Sequence, residues 1–256
     1  MDLALRAELA TGYHSWSQVG RVLPQEWVGR ELPCLRCSVK PLTPTPENTK
    51  ARDFDCGSCG EPYELKSTFR RFSRIVPNGQ FDTFLETISS DRVPNLVLLE
   101  YDRERFLVRN LTAIHRTLIS PEAIRPRNAL SEKAERAGWK GCSIDLSLIP
   151  PSGRVRVVHL GRPIEWPIVK EAWRRFEFMI KIRPESRGWN RDILALLQTL
   201  PSTSFRLDEA YAFENQLKDL HPGNRNIRPK IRQQLQILVA RGILIREEPG
   251  IYSKVG

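Results

Sequence analysis

Short apolar segments dominate the first 183 residues and predict a mixed sheet. Five segments read as strands: 51–56, 61–67, Asn95–Tyr101, Arg105–Leu111 and Arg154–Leu160. The first two alternate and predict a hairpin with Cys56–Cys59 at its turn. Asn95–Tyr101 is almost continuously apolar, as expected of a central strand buried on both faces. Helical spacing predicts helices within 1–33, over Gly79–Ser90 and over 168–180.

The last 70 residues follow a different pattern. Helical spacing predicts three helices, over Asn190–Leu200, Leu207–Leu220 and Ile227–Arg241. Gly242 is placed to end the third helix, and Ile243–Arg246 and Ile251–Lys254 read as a hairpin. Three helices followed by a hairpin are typical of a winged helix-turn-helix. We therefore predict an α/β protein with a mixed sheet over 1–183 and a winged helix over 184–256.

Composition narrows the class of partner. The chain has 256 residues, 40% of them hydrophobic, which is enough for a packed core. Its net charge of +10 favours an anionic polymer, most simply nucleic acid, although solubility alone can also account for such a surplus. We expect a monomer.

Neither a secretion signal nor a membrane span is visible in the sequence. The segment Met1–Arg6 lacks a basic start and an apolar core, and no stretch approaches the roughly 20 apolar residues of a span. We therefore expect a cytoplasmic protein with no membrane partner. Because disulfides are disfavoured there, clustered cysteines point to metal, and the isolated Cys142 is predicted as a small core residue.

Four cysteines form two CxxC pairs, Cys34/Cys37 and Cys56/Cys59. Eighteen residues separate the pairs, a spacing typical of structural zinc sites. Thiolates suit tetrahedral Zn²⁺, and four of them leave no open position, so the predicted zinc is structural. A redox pair or unrelated core thiols are the competing interpretation.

Asp53, Glu64 and Lys66 surround the second cysteine pair and suggest catalysis. Glu64 and Lys66 share one face of their strand, and Asp53 can add a second carboxylate to one Mg²⁺. Such an ion polarises a phosphate, and a lysine can stabilise the developing charge. This is the PD-(D/E)xK arrangement, with Arg52 where proline is usual. Asp55 is the alternative first carboxylate, and accidental charges on a surface strand are the competing interpretation.

Basic and polar side chains cluster on the third C-terminal helix. Residues 224–256 contain seven Lys and Arg against two Glu. Because arginine can read guanine and glutamine adenine in the major groove, we predict DNA contacts by the residues off the apolar stripe. These are Arg225, Arg228, Lys230, Arg232, Gln233 and Gln236. A solvated helix face is the alternative.

Two further features are candidate DNA contacts. Arg70 and Arg71 directly follow the Glu-x-Lys strand and can reach backbone phosphates, although a solvated loop is an equal alternative. Trp139 lies between Gly138 and Gly141, where an irregular backbone can present its ring. Most tryptophans are core residues, which is the competing interpretation.

Several colinear stretches resemble the DpnI family of methyl-directed restriction endonucleases. They are Asp53-Phe54, Glu64-Leu65-Lys66-Ser67, Arg136-Ala137-Gly138-Trp139, Ile144-Asp145-Leu146-Ser147, Ser186-Arg187-Gly188-Trp189 and Lys230–Leu238. None is a generic motif, and together they run through nearly the whole chain.

The resemblance implies a PD-(D/E)xK nuclease domain with embedded zinc and a C-terminal winged helix. The family cuts G-A-T-C when the adenine carries an N6-methyl group. Asp53, Glu64 and Lys66 fall on its catalytic positions, the four paired cysteines on its zinc ligands, and Trp139 on an aromatic that contacts the adenine methyl groups. The basic loop after Ser67 and the proline-rich loop between the cysteine pairs depart from the family pattern.

These features favour a Mg²⁺-dependent endonuclease that acts on adenine-methylated duplex DNA. A non-enzymatic transcription regulator, built from a zinc ribbon and a winged helix, is the main alternative. It explains the cysteines and the basic helix but leaves Asp53, Glu64 and Lys66 without a role. An RNA-binding or RNA-cleaving zinc protein ranks last, because exposed aromatic platforms for unpaired bases are not evident.

Overall fold

A computed structural model describes residues 1–47, 49–89 and 93–255. Its α-helices in these ranges are α1 (Trp16–Glu31), α2 (Phe81–Ser89), α3 (Trp166–Lys181), α4 (Pro184–Thr199), α5 (Leu207–Tyr211), α6 (Glu214–Leu220) and α7 (Ile227–Ala240). Short 3₁₀ helices occupy Ala7–Ala10, Arg116–Leu118, Pro121–Ala123, Leu146–Leu148 and Pro151–Gly153. None of the helices in these ranges has the length and apolar composition that crossing a bilayer requires.

The largest sheet has seven strands in the order β1-β2-β3-β5-β6-β9-β10. These strands are β1 (Leu42–Pro44), β2 (Phe54–Cys56), β3 (Pro62–Thr68), β5 (Asn95–Asp102), β6 (Leu107–Ile114), β9 (Arg154–His159) and β10 (Arg162–Pro163). Only the β3–β5 pairing is parallel within this sheet. The mixed α/β class predicted from the sequence is confirmed.

The central strand β5 is buried on both faces, which explains its continuous apolar run. Val97 and Leu99 on one face join a core with α1 and α3. Leu96 and Leu98 on the other face join a core that includes a second sheet and the C-terminal helices. The two cores therefore cover the two faces of one sheet, as expected for a layered fold.

The second sheet has the order β4-β8-β7 and was not evident in the sequence. Its strands are β4 (Ile75–Gln80), β7 (Ile124–Ala129) and β8 (Lys140–Asp145). Pro77 interrupts β4 and Pro126 interrupts β7, and proline is a signal against a strand. Helix α2 begins at Phe81, two residues later than predicted, because Gly79 and Gln80 complete β4; Ser90 lies outside the described residues.

The C-terminal part is a winged helix with one strand more than predicted. Strand β11 (Ser204–Arg206) pairs with β13 (Ile251–Lys254), which also pairs with β12 (Leu244–Glu248). The single helix predicted over Leu207–Leu220 is two helices, α5 and α6, separated at Ala212 and Phe213. Gly242 has φ +64° and ends α7 as expected.

Helix α4 joins the winged helix to the rest of the molecule. Trp189 and Ile193 on α4 belong to the same apolar core as Val76 and Ile144 of the second sheet. The Arg187 guanidinium donates hydrogen bonds to the carbonyls of Met179, Ile180 and Ile182, where α3 ends. The two parts thus share packing as well as a covalent connection.

Candidate metal centre and nucleic-acid interface

The two CxxC pairs meet in a compact four-sulfur cluster. Their Sγ atoms all lie within 4.8 Å of one another, with Cys34 and Cys59 at 3.6 Å and Cys37 and Cys56 at 3.5 Å. These distances exceed the roughly 2.05 Å of a disulfide but approach the about 3.8 Å between thiolates around tetrahedral zinc. The cluster can therefore hold zinc.

Two thiols of the cluster are shielded from solvent, whereas Cys59 is partly buried and Cys37 is exposed. Cys34 and Cys56 are buried, and burial raises the pKa of the Cys34 thiol. At Cys37 burial acts in the same direction, but a backbone hydrogen bond at Val39 and contacts with the other thiols lower the pKa to about 7. Metal binding requires ionised thiolates, and a pKa of about 7 brings the Cys37 thiol close to that state at neutral pH.

The β2–β3 hairpin brings Asp53 beside Glu64. Strands β2 and β3 pair antiparallel, with Phe54 opposite Tyr63, and Asp53 immediately precedes β2. The Asp53 amide donates to the Tyr63 carbonyl at 2.8 Å. The Leu65 amide donates to Asp53 Oδ2 at 2.7 Å, which fixes the carboxylate next to Glu64. Asp53 is therefore held from two directions by the strand that carries Glu64.

Glu64 is a buried carboxylate with several polar partners. Only 5% of the residue is exposed. Its Oε1 lies 2.8 Å from Lys66 Nζ, and its Oε2 accepts from Asn78 Nδ2 at 3.3 Å. Burial raises the pKa of Glu64, Lys66 opposes that rise, and the charge of Asp53 adds to it. The two carboxylates are thus close enough for their charges to interact, an arrangement that a divalent cation would stabilise.

Asp55, the alternative first carboxylate, is occupied elsewhere. It lies on β2 opposite Pro62, and its Oδ1 lies 3.3 Å from Arg52 Nη1. The structure therefore brings Asp53, and not Asp55, into hydrogen-bonding contact with the strand of Glu64 and Lys66. Arg52, at the position where proline is usual, has a local structural partner.

Tyr63 connects the sulfur cluster to the carboxylates. Its ring is fully buried, its hydroxyl lies 3.3 Å from Cys34 Sγ, and the hydroxyl accepts from the Leu35 amide at 3.0 Å. Its backbone carbonyl accepts from Asp53, and the next residue is Glu64. One residue thus spans the distance between the candidate zinc site and the candidate catalytic site.

The second sheet adds a wall to this site. Asn78 on β4, the partner of Glu64, lies opposite Cys142 on β8. Burial, followed by the charge of Glu64, raises the pKa of Cys142 to about 11. Cys142 is fully buried, as predicted. Residues of β8 therefore lie near the carboxylate pair.

Trp139 lies immediately before β8 and folds back over Gly141. A Cβ at Gly141 would stand 2.9 Å from the Trp139 ring, so only glycine permits this approach. Gly138 has φ +78°, which supports the turn that presents the ring. Trp139 is partly exposed and directly precedes β8, whose Cys142 lies near enough to Glu64 to be affected by its charge. Its position is compatible with the predicted DNA contact.

The basic loop after β3 splits into exposed and paired arginines. Arg70 and Arg71 are both exposed. Arg74 instead places Nε 3.3 Å from the buried Asp145 carboxylate, which also accepts from Arg125 and Ser147. Arg70 and Arg71 therefore remain available for a ligand in a way that Arg74 does not.

Helix α7 presents most of its predicted contacts on one face. Arg228, Arg232, Gln233 and Gln236 line an open groove together with Pro229 and Tyr211. The Tyr211 ring lies 5.2 Å from the Arg228 guanidinium, and its hydroxyl bonds to Arg232. Arg228 also pairs with Glu214 at 2.7 Å.

The two remaining predicted contacts differ from this group. Lys230 is partly buried and donates to Gln233 Oε1 at 2.9 Å, and Arg225 lies in the turn before α7. They flank the groove and do not line it.

Three candidate residues were not predicted from the sequence. Asn78 belongs to a strand hidden by Pro77, and Tyr211 lies on a helix read only for its apolar spacing. Arg127 lies on β7 beside Gly141, and its charge acts on Cys142. The one sequence signal for Arg127 is that it lies two positions after Arg125, in a segment as long as a strand.

Two known families match this chain. Residues 1–182 match DpnI, described as the Dam-replacing family, and residues 185–254 match DpnI_C, the Dam-replacing HTH domain. Together the two matches extend over nearly all of the sequence.

Proposed function

The chain belongs to the Dam-replacing family, and from this premise we propose a Mg²⁺-dependent endonuclease that cuts duplex DNA at G-A-T-C sites carrying N6-methyladenine. Membership in the family and the HTH domain support a restriction-type protein that acts on DNA, and they confirm the resemblance found in the sequence. The metal dependence, the methyl requirement and the site residues are our proposal. Its main support is the buried Glu64, held between Lys66 and Asn78 and influenced by Asp53.

The donor set of the carboxylate pair fits Mg²⁺. Asp53 and Glu64 supply hard oxygen ligands, and Mg²⁺ is usually held by one or two carboxylates together with phosphate and water. When bound, Mg²⁺ would polarise the scissile phosphate and make an attacking water more acidic. Because Glu64 is buried and one of its oxygens accepts from Asn78, that oxygen is shielded from bulk water.

Lys66 has the position of a charge stabiliser. Its ammonium lies 2.8 Å from Glu64 and is 23% exposed, so it faces both the carboxylate and the entering substrate. In the complex we propose that Lys66 donates to the phosphate oxygen on which negative charge develops. This preorganised donor is a recognised source of large rate effects in buried sites.

The four cysteines are proposed to bind structural zinc. Cys34, Cys37, Cys56 and Cys59 complete a tetrahedral sulfur site with no open position. Zinc there would tie the segment between α1 and β1, which carries Cys34 and Cys37, to the end of β2 and the turn before β3, which carry Cys56 and Cys59. We further propose that the chain divides into a PD-(D/E)xK catalytic domain over 1–183 and a winged-helix domain over 184–256.

Methyl recognition is proposed to combine Trp139 with the face of α7. A buried methyl contributes on the order of 0.8 kcal/mol. Two methyl groups in a palindromic site would double this free energy, which corresponds to about tenfold discrimination. Arg232, Gln233 and Gln236 supply exposed donors and acceptors for base edges, and Arg70 and Arg71 supply charge for phosphates. Two regions that both test the methyl mark would multiply their discrimination.

Plasmid cleavage tests the proposal. Plasmid with and without adenine methylation is incubated with the zinc-loaded protein, with and without Mg²⁺. We expect linear fragments only from methylated plasmid in the presence of Mg²⁺. A protein that shifts the plasmid in a gel but never cuts it would instead be the non-enzymatic regulator.

A further inference from the structure

A groove begins at Asp53 and runs along helix α1. It has a volume of about 370 Å³ and is walled by Gly20 and Arg21 of α1 and by the end of β3, Ser67 and Thr68. Glu64 and Lys66 do not line it, because they project from the other face of β3. The Ser67 hydroxyl donates to the Gly20 carbonyl at 2.7 Å, so helix and strand are fixed against each other.

An alternating stack of aromatic rings and guanidinium groups lies at the outer end of this groove. We name it the aromatic–arginine strip; it consists of Trp16, Arg103, Phe69 and Arg70. The Arg103 guanidinium lies 5.5 Å from the Trp16 ring and 4.7 Å from the Phe69 ring, and Arg70 lies 5.5 Å from Phe69. All three distances are within the range of cation–π interaction.

The strip is held in place from below while its outer surface is open. Arg109 Nη2 donates to the Phe69 carbonyl at 2.7 Å, which anchors the backbone of Phe69. Trp16 is 55% exposed, a high fraction for so large an apolar side chain. Arg103 is exposed and its guanidinium contacts both the Phe69 and the Trp16 ring.

The charges around the groove are not neutralised by carboxylates. Within the described ranges, no acidic group forms an ion pair with Arg21, Arg70 or Arg103. By contrast, Arg52 pairs with Asp55, Arg74 with Asp145 and Arg228 with Glu214. Three unpaired guanidinium groups beside one groove indicate an anionic ligand.

We propose that the aromatic–arginine strip is a binding subsite for a backbone phosphate of the DNA that is cut, on the side of Asp53 away from Glu64 and Lys66. A guanidinium beside aromatic rings keeps N–H donors that phosphate oxygens accept. The inference rests on the proposed function, because Asp53, a proposed Mg²⁺ ligand, lines the groove that leads to the strip. Only Arg70 belongs to the basic loop seen in the sequence; Arg21 and Arg103 reach the groove from distant parts of the chain.

Binding to chemically modified duplexes tests the subsite. Affinity for a methylated G-A-T-C duplex is measured with Ca²⁺ in place of Mg²⁺ at several salt concentrations, for the wild type, Arg103→Ala, Arg103→Lys and Arg162→Ala. Arg162 is an exposed arginine on β10 and serves as the matched control. Single neutral methylphosphonates are then placed at each phosphate around the cut.

The expected pattern is specific to one phosphate position. Arg103→Ala weakens binding on the order of tenfold and lowers the salt slope by about one, whereas Arg162→Ala changes neither. Arg103→Lys keeps the slope but loses part of the affinity. A methylphosphonate beside the cut weakens the wild type and has no further effect on Arg103→Ala.

The opposite results overturn the subsite separately from the proposed function. An unchanged salt slope in a folded Arg103→Ala protein, or additive losses with every methylphosphonate, would remove the subsite. A wild type that binds with the predicted slope but never cuts would remove the endonuclease and leave the phosphate contact. Thermal unfolding of each variant shows that folding is not the cause.

Discussion

The β2–β3 hairpin and helix α7 carry the two halves of the proposed function in opposite environments. Glu64 in the hairpin is 5% exposed and has Lys66 and Asn78 as partners. On α7, Arg232, Gln233 and Gln236 are exposed; Gln233 accepts from Lys230, and Arg232 bonds to Tyr211. The hairpin therefore buries its charged side chain, whereas α7 exposes its polar and charged side chains to solvent.

The two regions therefore differ in how their polar side chains affect the free energy of folding. A buried carboxylate is unfavourable unless it is compensated, so Glu64 depends on Lys66 and Asn78, and the proposed metal ion would add to this compensation. Exposed polar side chains on α7 cost little, because water solvates them in the free protein. Changes in the hairpin should therefore alter chemistry and stability together, whereas changes on α7 should alter affinity alone.

Removing zinc should have the largest effect and should strike only the hairpin region. Structural zinc contributes apparent folding free energies of about 10–16 kcal/mol in small sites, and here it would tie the β2–β3 turn to the segment after α1. We expect amide hydrogen exchange of Asp53–Leu65 to accelerate by orders of magnitude while the amides of α7 stay protected. Restoring zinc should reverse the change. Equal exchange in both regions would mean that the comparison does not hold.

Glu64→Gln should abolish cleavage and, in the Mg²⁺-free protein, raise stability at pH values above the raised pKa of Glu64, because a buried charge is removed. Outer-shell partners of a metal typically affect binding or activity 10–100-fold, so loss of a ligand should exceed about 100-fold in single-turnover cleavage. Affinity for methylated duplex should stay near wild type, because the change lies away from α7. A matched loss of affinity and cleavage would indicate a structural role.

The raised pKa of Glu64 predicts how the difference in stability between the wild type and Glu64→Gln depends on pH. Burial raises the pKa above its usual 4.5, so the folded state holds the proton more tightly than the unfolded state. The stability that this proton contributes is present below pH 4.5 and is lost as pH rises through the raised value. Chemical unfolding of the zinc-loaded, Mg²⁺-free proteins measures this difference. The free energy of unfolding of Glu64→Gln should increase relative to that of the wild type as pH rises through that window. Cleavage by the wild type should fall as pH drops through it.

Gln233→Ala should change recognition and leave the chemistry intact. Loss of a base contact costs about 1–3 kcal/mol of discrimination, and a surface substitution changes stability by less than about 0.5 kcal/mol. We expect a weaker Kd for methylated duplex with an unchanged cleavage rate at saturating DNA. Gln216→Ala, an exposed glutamine on α6, is the matched control. A lower rate at saturation would place α7 in the chemistry.

Trp139→Ala should give the smallest effect and should act on the methyl preference. Loss of contact with two methyl groups corresponds to about tenfold in the ratio of methylated to unmethylated cutting. Trp139→Phe keeps an apolar ring and should retain most of the preference. Parallel cleavage of the two plasmids measures the ratio, and an unchanged ratio in the alanine variant would remove the proposed role.

Local patterns in the sequence predicted the hairpin and the proximity of the four cysteines, whereas pairing between distant segments was predicted poorly. The CxxC spacing and the Glu-x-Lys alternation are local, so the cluster and the shared face of Glu64 and Lys66 followed directly. Asn78 was missed because Pro77 masks β4, whose partner β8 lies far along the chain. The strand β11 was missed because three residues carry too little periodicity to be recognised.

The winged helix shows the same limit at its second helix. Apolar spacing continues across Ala212 and Phe213, so a single helix was predicted where α5 and α6 are separate. The face of α7 was predicted because Ile227, Ile231, Leu235 and Leu238 are spaced as one buried stripe. Which exposed side chains meet Tyr211 depends on tertiary packing, and spacing along one helix cannot show it.

Titration with Mn²⁺ followed by electron paramagnetic resonance tests the shared-ion claim most directly. The zinc-loaded wild type, Asp53→Asn and Glu64→Gln are compared in the presence of methylated duplex, with Asp55→Asn as the matched control. We predict one bound Mn²⁺ in the wild type and in Asp55→Asn, and its loss in each of the other two variants. Retention of the ion in both Asp53→Asn and Glu64→Gln would contradict a site built from these two carboxylates.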